Sequence, residues 1–455
     1  MSSELIETTL GDICHSQGGS IQTGPFGSQL HMSDYTEKGT PVVMPTNIGT
    51  QGISLENIAR VGQQDVERLL QHKLDVGDIV FSRRGDVTKN ALIGEVESGW
   101  LCGTGCLKVR MGTEKVANAK FISYYLRSPE IKDWLIRYAV GATMPNLNTG
   151  ILAAVPVMLP SLQTQHLVTE FLGALDNRIA LLRETNKTLE SIAQAIFKSW
   201  FVDFDPVRAK MEGLQPEGMD EETAALFPDS FEEAELGLIP RGWQIKTVDD
   251  VVDTHGGATP NTKNRDFWEP EEFNWATPKD LSGAMSPILL DTERRISAAG
   301  LAKISSGLLP SGTLLMSSRA PIGYLAVCRI PVAVNQGYIA MPPGGLLPPL
   351  FMYFWCKTNM GTIKGHANGS TFMEISKKAF RPIPLISPPA PVVVAFMRVA
   401  ETLFDQISAN TAQTKVLICA RDTLLPRLIS GRLRLPSESC HAESVDAAND
   451  IALRY

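Results

Sequence analysis

Few residues in this 455-residue chain are spaced for bond-making chemistry. Glu130-Ile131-Lys132 has the Glu-x-Lys form seen at many nuclease centres, but it fixes only two positions, and a solvated helix face is the stronger reading. The seven histidines show no paired spacing. The cysteines at 14, 102, 106, 328, 356, 419 and 440 make no C-x-x-C pair and no Cys/His set of zinc type, which argues against a structural metal. No GxxxxGK[ST] loop is present, so ATP hydrolysis is not expected of this chain. A GxSxG nucleophile elbow is also missing. Ser387-Pro388-Pro389 is the nearest approach to the Asn/Asp-Pro-Pro-aromatic signature of amino-methyltransferases, and it lacks the polar amide. No glycine-rich cofactor loop follows a strand. These observations point to a chain that binds and does not catalyse, with no metal and no cofactor of its own.

Composition sets the frame in which binding must work. Apolar residues make up 44% and charged residues 20%, an ordinary globular balance that excludes a disordered or fibrous chain. With 42 basic and 49 acidic side chains the net charge is −7, so a strongly cationic nucleic-acid binder is not visible at whole-chain level. At roughly 100–200 residues per domain, two to four domains are expected. Sparse, odd cysteines do not suit a secreted disulfide scaffold. The start, MSSELIETTL, lacks the basic-then-apolar pattern of a signal peptide, and no apolar run approaches the ~18 residues of a membrane span. A soluble cytoplasmic protein without membrane contact is expected.

The chain is built on one plan used twice. Gly77-Asp78-Ile79-Val80-Phe81-Ser82-Arg83-Arg84 is answered by Gly312-Thr313-Leu314-Leu315-Met316-Ser317-Ser318-Arg319 at an offset of 235. Gly141-Ala142-Thr143 is answered by Gly369-Ser370-Thr371, and Leu175-Asp176-Asn177-Arg178-Ile179 by Leu403-Phe404-Asp405-Gln406-Ile407, both at 228. An ordered series with a slowly drifting offset indicates duplication. Each half opens with about 150 residues rich in Gly, Pro and β-branched types, whose short runs (39–43, 78–81, 106–109) read as strands between turns. Pro-flanked apolar runs at 155–159 and 383–386 close these globular parts.

Each half then becomes one long helix. The first is expected from after Pro160 to about Phe201, with the seam Val168, Leu172, Leu175, Ile179, Leu182, Asn186, Leu189, Ala193, Ile196 and Trp200. That spacing alternates four and three without a slip, a heptad pattern. The second is expected to start after Pro391 and to end before Pro426, with Ala400, Leu403, Ile407, Asn410, Thr414, Leu417, Arg421 and Leu424 on its seam. Two such helices favour pairing with each other, and Asn186 and Asn410 near mid-seam are candidates for fixing the register. Between the halves, 205–236 holds ten acidic and two basic side chains with Gly213, Pro216 and Gly218, and reads as a polar connector without a core. The expected layout is a first globular domain at 1–160, a helix at 161–204, an acidic connector at 205–239, a second globular domain at 240–391, a helix at 392–432 and a loose tail at 433–455. By segment the charge is −2 over 1–160, −9 over 161–240, +4 over 241–391 and 0 over 392–455, so the connector masks a nearly neutral and a mildly basic globular part.

At this level of detail the sequence resembles the DNA-specificity subunit of Type I restriction–modification systems. The resemblance rests on Gly24-Pro25-Phe26-Gly27-Ser28-Gln29-Leu30, on Gly77 to Gly85, on Gly141-Ala142-Thr143-Met144-Pro145-Asn146-Leu147-Asn148 and on the helix end Ile196-Phe197-Lys198-Ser199-Trp200-Phe201-Val202-Asp203-Phe204-Asp205-Pro206. In the second half it rests on Ile239-Pro240-Arg241-Gly242-Trp243, Trp275-Ala276-Thr277-Pro278-Lys279-Asp280-Leu281, Ser318-Arg319-Ala320-Pro321-Ile322-Gly323, Asn335-Gln336-Gly337 and Leu424-Leu425-Pro426-Arg427-Leu428-Ile429-Ser430-Gly431. It spans about residues 5–435. It implies an α+β fold: two similar, mainly β target-recognition domains separated by two long helices in an antiparallel coiled coil, with a pseudo-two-fold repeat. It implies double-stranded DNA as ligand, with each domain reading half of a bipartite site. The implied partners are two modification subunits, which use S-adenosylmethionine, and restriction subunits, which use ATP and Mg. A paired stretch of about 30 residues measures roughly 45 Å, near the 34–36 Å of one DNA turn. A tandem-domain coiled-coil scaffold that binds proteins without reading DNA is the alternative; a fused methyltransferase or nuclease lacks its motifs.

Within that frame, basic and amide side chains near turns are the candidate DNA contacts. They are Ser28, Gln29, Asn47, Arg83, Arg84, Lys89 and Thr143 in the first half, and Lys279, Asp280, Arg319, Asn335, Gln336 and Thr371 in the second. Arg83-Arg84 follows an apolar strand and precedes Gly85, so at least one should leave the core at a loop. Arginine can pair bidentately with guanine and an amide with adenine, although a phosphate contact is open to each of them. Phe197, Trp200, Phe201, Leu425 and Leu428 are candidates for docking a partner, the first three with the alternative of plugging the adjacent domain.

Overall fold

The computed structural model describes residues 5–49, 52–141, 144–369 and 373–435. Thr143 and Thr371 lie outside the described residues. Two 40-residue helices dominate, Leu162–Phe201 and Ala390–Ile429. The chain divides into two units, Met1–Asn177 with Leu417–Tyr455, and Arg178–Val416, so each unit holds a piece of both helices.

The first unit is built on a four-stranded antiparallel sheet in the order Gly18–Thr23, Cys106–Gly112, Ile79–Ser82, Asn90–Leu92. Both faces of this sheet are covered. Ile79, Phe81, Leu107 and Val109 pack on the helix Ala119–Tyr125. Val80, Ala91 and Cys106 meet Val43 and Ile48 on the other side. Burial on both faces explains the unbroken burial of Ile79–Ser82, apolar in its first three residues, which shows none of the alternation of a half-exposed strand. A three-stranded sheet, Ala59–Val61, Tyr35–Val43 and Leu101–Cys102, adds a parallel pair. Ile6–Thr9 pairs with Pro156–Leu159 and closes the unit where the first long helix begins.

The second unit repeats these parts, except that the fourth strand of its main sheet, Ile288–Leu289, joins at the opposite edge and runs parallel to its neighbour. Its four-stranded sheet runs Ile288–Leu289, Leu325–Cys328, Leu314–Ser317, Tyr338–Met341. Arg294–Ile296, Phe273–Ala276 and Ala333–Val334 form the three-stranded sheet, again with a parallel pair. Gln244–Thr247 pairs with Pro384–Ser387 as the closing strands. The duplication read from spacing is thus a duplication of α+β topology.

The long helices pair antiparallel within each unit. In the second unit Phe197 lies 5.6 Å from Phe396 between ring centroids, while Asn186 meets Asn410, so the numbers run in opposite senses. In the first unit Arg421 reaches Asp176 at 2.8 Å. Val168, Leu172, Ile179, Leu182, Asn186 and Ala193 of the seam are buried. Asn410 Nδ2 donates to Asn186 Oδ1 at 2.9 Å, and Asn186 Nδ2 donates to Thr411 Oγ1 at 3.2 Å.

Two readings need correction. The second helix does not stop before Pro426; it continues to Ile429. Proline removes one amide donor near a helix end, and burial of Leu425, Leu428 and Ile429 in the core of the first unit holds the last turn in place. The acidic segment after Phe201 is folded, not a coreless connector. It forms the helices Asp205–Met211 and Glu221–Ala225 and the hairpin Phe231–Ala234 with Gly237–Pro240. Phe204, Val207 and Phe227 sink into the second unit's core beside Trp243, and most of the carboxylates stay outside.

The asparagine pair gives a test. Asn410→Ala leaves Asn186 buried with a donor lost, at a cost of about 1–3 kcal/mol. Changing both to Leu should recover most of that, because no orphaned amide remains. The check is the urea midpoint of the full-length chain; a double variant no more stable than the single would mean the pair is not an isolated polar contact.

Candidate nucleic-acid interface

The sequence places an arginine where each central strand leaves the core, and the structure shows how it is held. In the first unit Ser82 Oγ donates to the Arg84 carbonyl at 2.8 Å, and the Ser82 amide donates to the Lys89 carbonyl at 3.0 Å. Gly85 takes φ +75°, a left-handed conformation open to glycine, so the chain can turn there. The Leu147 amide donates to the Arg83 carbonyl at 2.9 Å and ties this loop to a second one, in which Val140 and Asn146 bridge. The two arginines then diverge. Arg83 Nε donates to Asn146 Oδ1 at 3.2 Å. Arg84 is exposed, with no side-chain partner among the described residues.

The second unit builds the same two-loop arrangement. The Ile375 amide donates to the Ser318 carbonyl at 3.0 Å, Arg319 bridges Glu374, and Asn368 bridges Glu374. Arg319 therefore stands where Arg84 stands, and Glu374 where Asn146 stands. Arg319 Nη1 lies 3.8 Å from Glu374 Oε2 with both side chains more than a third exposed. A pair of that kind is worth little, so Arg319 remains available to a ligand.

The other candidates separate into free and occupied side chains. Ser28 is exposed. Gln29 uses its carbonyl to accept the Phe26 amide at 3.0 Å. Lys89 lines a cleft of about 450 Å3. Lys279 is exposed but paired with Glu293 at 2.7 Å. Gln336 is exposed and accepts the Thr259 hydroxyl at 2.7 Å, and Asn335 accepts the Gly337 amide at 2.8 Å. Two candidates are corrected outright. Asn47 is buried, accepts the Met44 amide and donates to the Ser54 and Glu56 carbonyls, so it braces a loop and offers no amide to DNA. Asp280 accepts the Thr277 amide and hydroxyl and the Glu293 amide, and it caps its helix.

The docking candidates are core residues as well. Phe197 and Phe201 are buried against Phe351 and Phe396, with ring centroids 4.9–5.6 Å apart. Trp200 is partly buried against Phe227, and Leu425 and Leu428 are buried in the first unit. A partner cannot reach Phe197, Phe201, Leu425 or Leu428 without opening a core, and the plug alternative describes Phe197 and Phe201; Trp200 also borders an open cleft.

Sequence reasoning passed over two tyrosines that tie each globular part to its helices. Tyr124 Oη donates to Asp176 at 2.6 Å, and Asp176 also takes Arg421 at 2.8 Å. Tyr353 Oη donates to Glu190 at 2.5 Å, and Lys357 joins the same carboxylate. Burial, then the carboxylate contact, pushes the Tyr124 hydroxyl well above the usual tyrosine range, so it stays a donor. No local signal marks these pairs, because their partners are 52 and 163 residues away. Among the described residues no His/Cys/Asp/Glu group could hold a metal ion, and no helix is long and apolar enough to cross a membrane.

If Phe197 is a core residue, Phe197→Ala should cost about 3–5 kcal/mol of stability. Thermal unfolding checks this. An unchanged melting temperature with lost partner binding would restore the docking role.

Comparison with known proteins places this geometry in a family. The profile of the Type I restriction modification DNA specificity domain matches residues 3–191 and 240–415. The chain is 27% identical over 357 residues to the Type I restriction enzyme HindI specificity subunit of Haemophilus influenzae, covering 69% of this chain and 77% of that one. It is 33% identical over 184 residues to the MjaIX specificity subunit of Methanocaldococcus jannaschii, covering 40% of this chain and 42% of that one. The solved S subunit of a Type I restriction-modification system from M. genitalium shares the fold, with a TM-score of 0.53 and 16% identity over 94% of this chain and 96% of that one. With both halves matched and the α+β unit built twice, the chain belongs to the Type I restriction–modification DNA specificity family and is a specificity subunit.

Proposed function

We propose that this specificity subunit reads a bipartite site in double-stranded DNA, one part with each unit, and carries out no catalysis itself. The observation that supports this most directly is the two-loop arrangement built twice, with Arg84 and Arg319 at the same topological position and each open to a ligand. Arginine forks suit guanine O6 and N7 in the major groove. The helices set the spacing between the two parts and carry two modification subunits. Those subunits supply methylation with S-adenosylmethionine, and restriction subunits supply ATP- and Mg-dependent work, in the cytoplasm. Two weak readers linked in one chain also gain effective concentration for a correctly spaced pair of half-sites.

The test is binding of the assembled methyltransferase to DNA in which each half-site is scrambled in turn. Arg84→Ala is expected to relax discrimination at one half-site and Arg319→Ala at the other, each by about 1–3 kcal/mol, or roughly one to two decades in affinity ratio. A uniform loss across all sequences would make these arginines phosphate contacts. No sequence preference in the wild-type complex would favour the scaffold reading.

A further inference from the structure

One cleft of the first unit joins the candidate Lys89 to two cations that sequence reasoning did not single out, and the inference rests on the DNA reading above. The cleft of about 450 Å3 lies beside the loop that carries Arg84. Its wall holds three carboxylates, and each is engaged. Asp176 takes the Tyr124 hydroxyl and Arg421, Asp422 takes Arg421 at 2.7 Å, and Asp86 takes the Thr88 hydroxyl at 2.7 Å and its amide at 3.2 Å. Of the four cations, Arg421 is spent on two of these carboxylates and the other three are engaged far less. Lys89 and Lys132 have no side-chain partner among the described residues. Arg127 has a single acceptor, Asn90 Oδ1, at 3.5 Å. Its burial disfavours the charged guanidinium, which a bound anion would offset. The helix Pro129–Tyr138 begins at the same wall, and its cap residue Ser128 makes no side-chain capping bond.

Three under-used cations and no unengaged carboxylate, in a chain of net charge −7, describe a local reversal of charge. Lys89 stands five residues after Arg84 on the same loop, and Ser82 bonds the backbone of both, its hydroxyl to the Arg84 carbonyl and its amide to the Lys89 carbonyl. We propose that this cleft, through Lys89, Arg127 and Lys132, holds a backbone phosphate of the DNA duplex whose bases Arg84 reads.

The test uses the full-length chain in its assembled complex and measures affinity against salt for cognate and scrambled DNA. Lys89→Ala with Lys132→Ala is expected to lower the salt slope by about one unit, as for one phosphate, and to weaken every sequence by a similar factor, roughly tenfold, with half-site preference kept. Lys38→Ala, an exposed lysine elsewhere in the unit, should leave the slope unchanged. An unchanged slope in the double variant, while Arg84→Ala still relaxes one half-site, would overturn the phosphate site and leave the recognition reading intact. An equal effect from Lys38→Ala would also overturn it, by reducing the effect to net charge. If inorganic phosphate binds the wild type but not the double variant, and the DNA slope does not change, the cleft is a site for free phosphate and the proposal fails. Absence of any DNA preference in the wild type would count against the underlying reading.

Discussion

The seam between the two 40-residue helices is the constraint on which the rest of the molecule depends. The largest apolar cluster of each unit is built on it. In the first unit Val168, Leu172, Leu425 and Leu428 share one apolar cluster with Ile79, Phe81 and Phe121 of the globular part. In the second, Ala193, Phe197, Phe396, Ala400 and Phe404 share a cluster with Leu314, Met316 and Phe354. The helices are therefore part of what each globular part folds around. A change in heptad register would move core residues of a unit, so the polar contacts along the seam fix more than pairing. Asn186 with Asn410, and Arg421 with Asp176, each lose a partner if the register slips.

The same dependence explains what could be read from the residues and what could not. The duplication and the heptads are periodic, and periodic signals survive without knowledge of the fold. They led to the two-part repeat and the paired helices; the α+β class, the antiparallel sense and the family came with the longer motifs. The acidic stretch misled because ten carboxylates dominate a count of charges, while Phe204, Val207 and Phe227 decide the packing. Pro426 misled for a similar reason: a local helix-breaking rule yielded to burial of Leu428 and Ile429. At the candidate interface, Arg84 could be placed because the strand before it ends at a glycine turn. Asn47 could not be distinguished from a ligand-facing amide, since its acceptors lie seven and nine residues on. Tyr124 and Tyr353 gave no signal at all.

Charge is distributed with the same logic. The folded acidic segment of the second unit carries ten carboxylates against two cations, and the cleft of the first unit collects cations whose neighbouring carboxylates are already engaged. The two arginine loops are alike in backbone and unlike in their neighbours, Asn146 in one and Glu374 in the other. A neutral amide and a carboxylate beside the same arginine offer different acceptor patterns to a base edge. One backbone scaffold with exchangeable neighbours is a physical route to two units of one topology with different preferences.

The central claim is that recognition is divided between the units. Mapping of methylated positions in DNA modified by the assembled complex tests it most directly, once with the natural chain and once with residues 5–160 replaced by the corresponding part of a relative. Two short specific elements separated by a fixed unspecified gap are predicted for the natural chain, and replacement should change one element while the other and the gap persist. A single continuous motif, or a replacement that changes both elements together, would contradict the account.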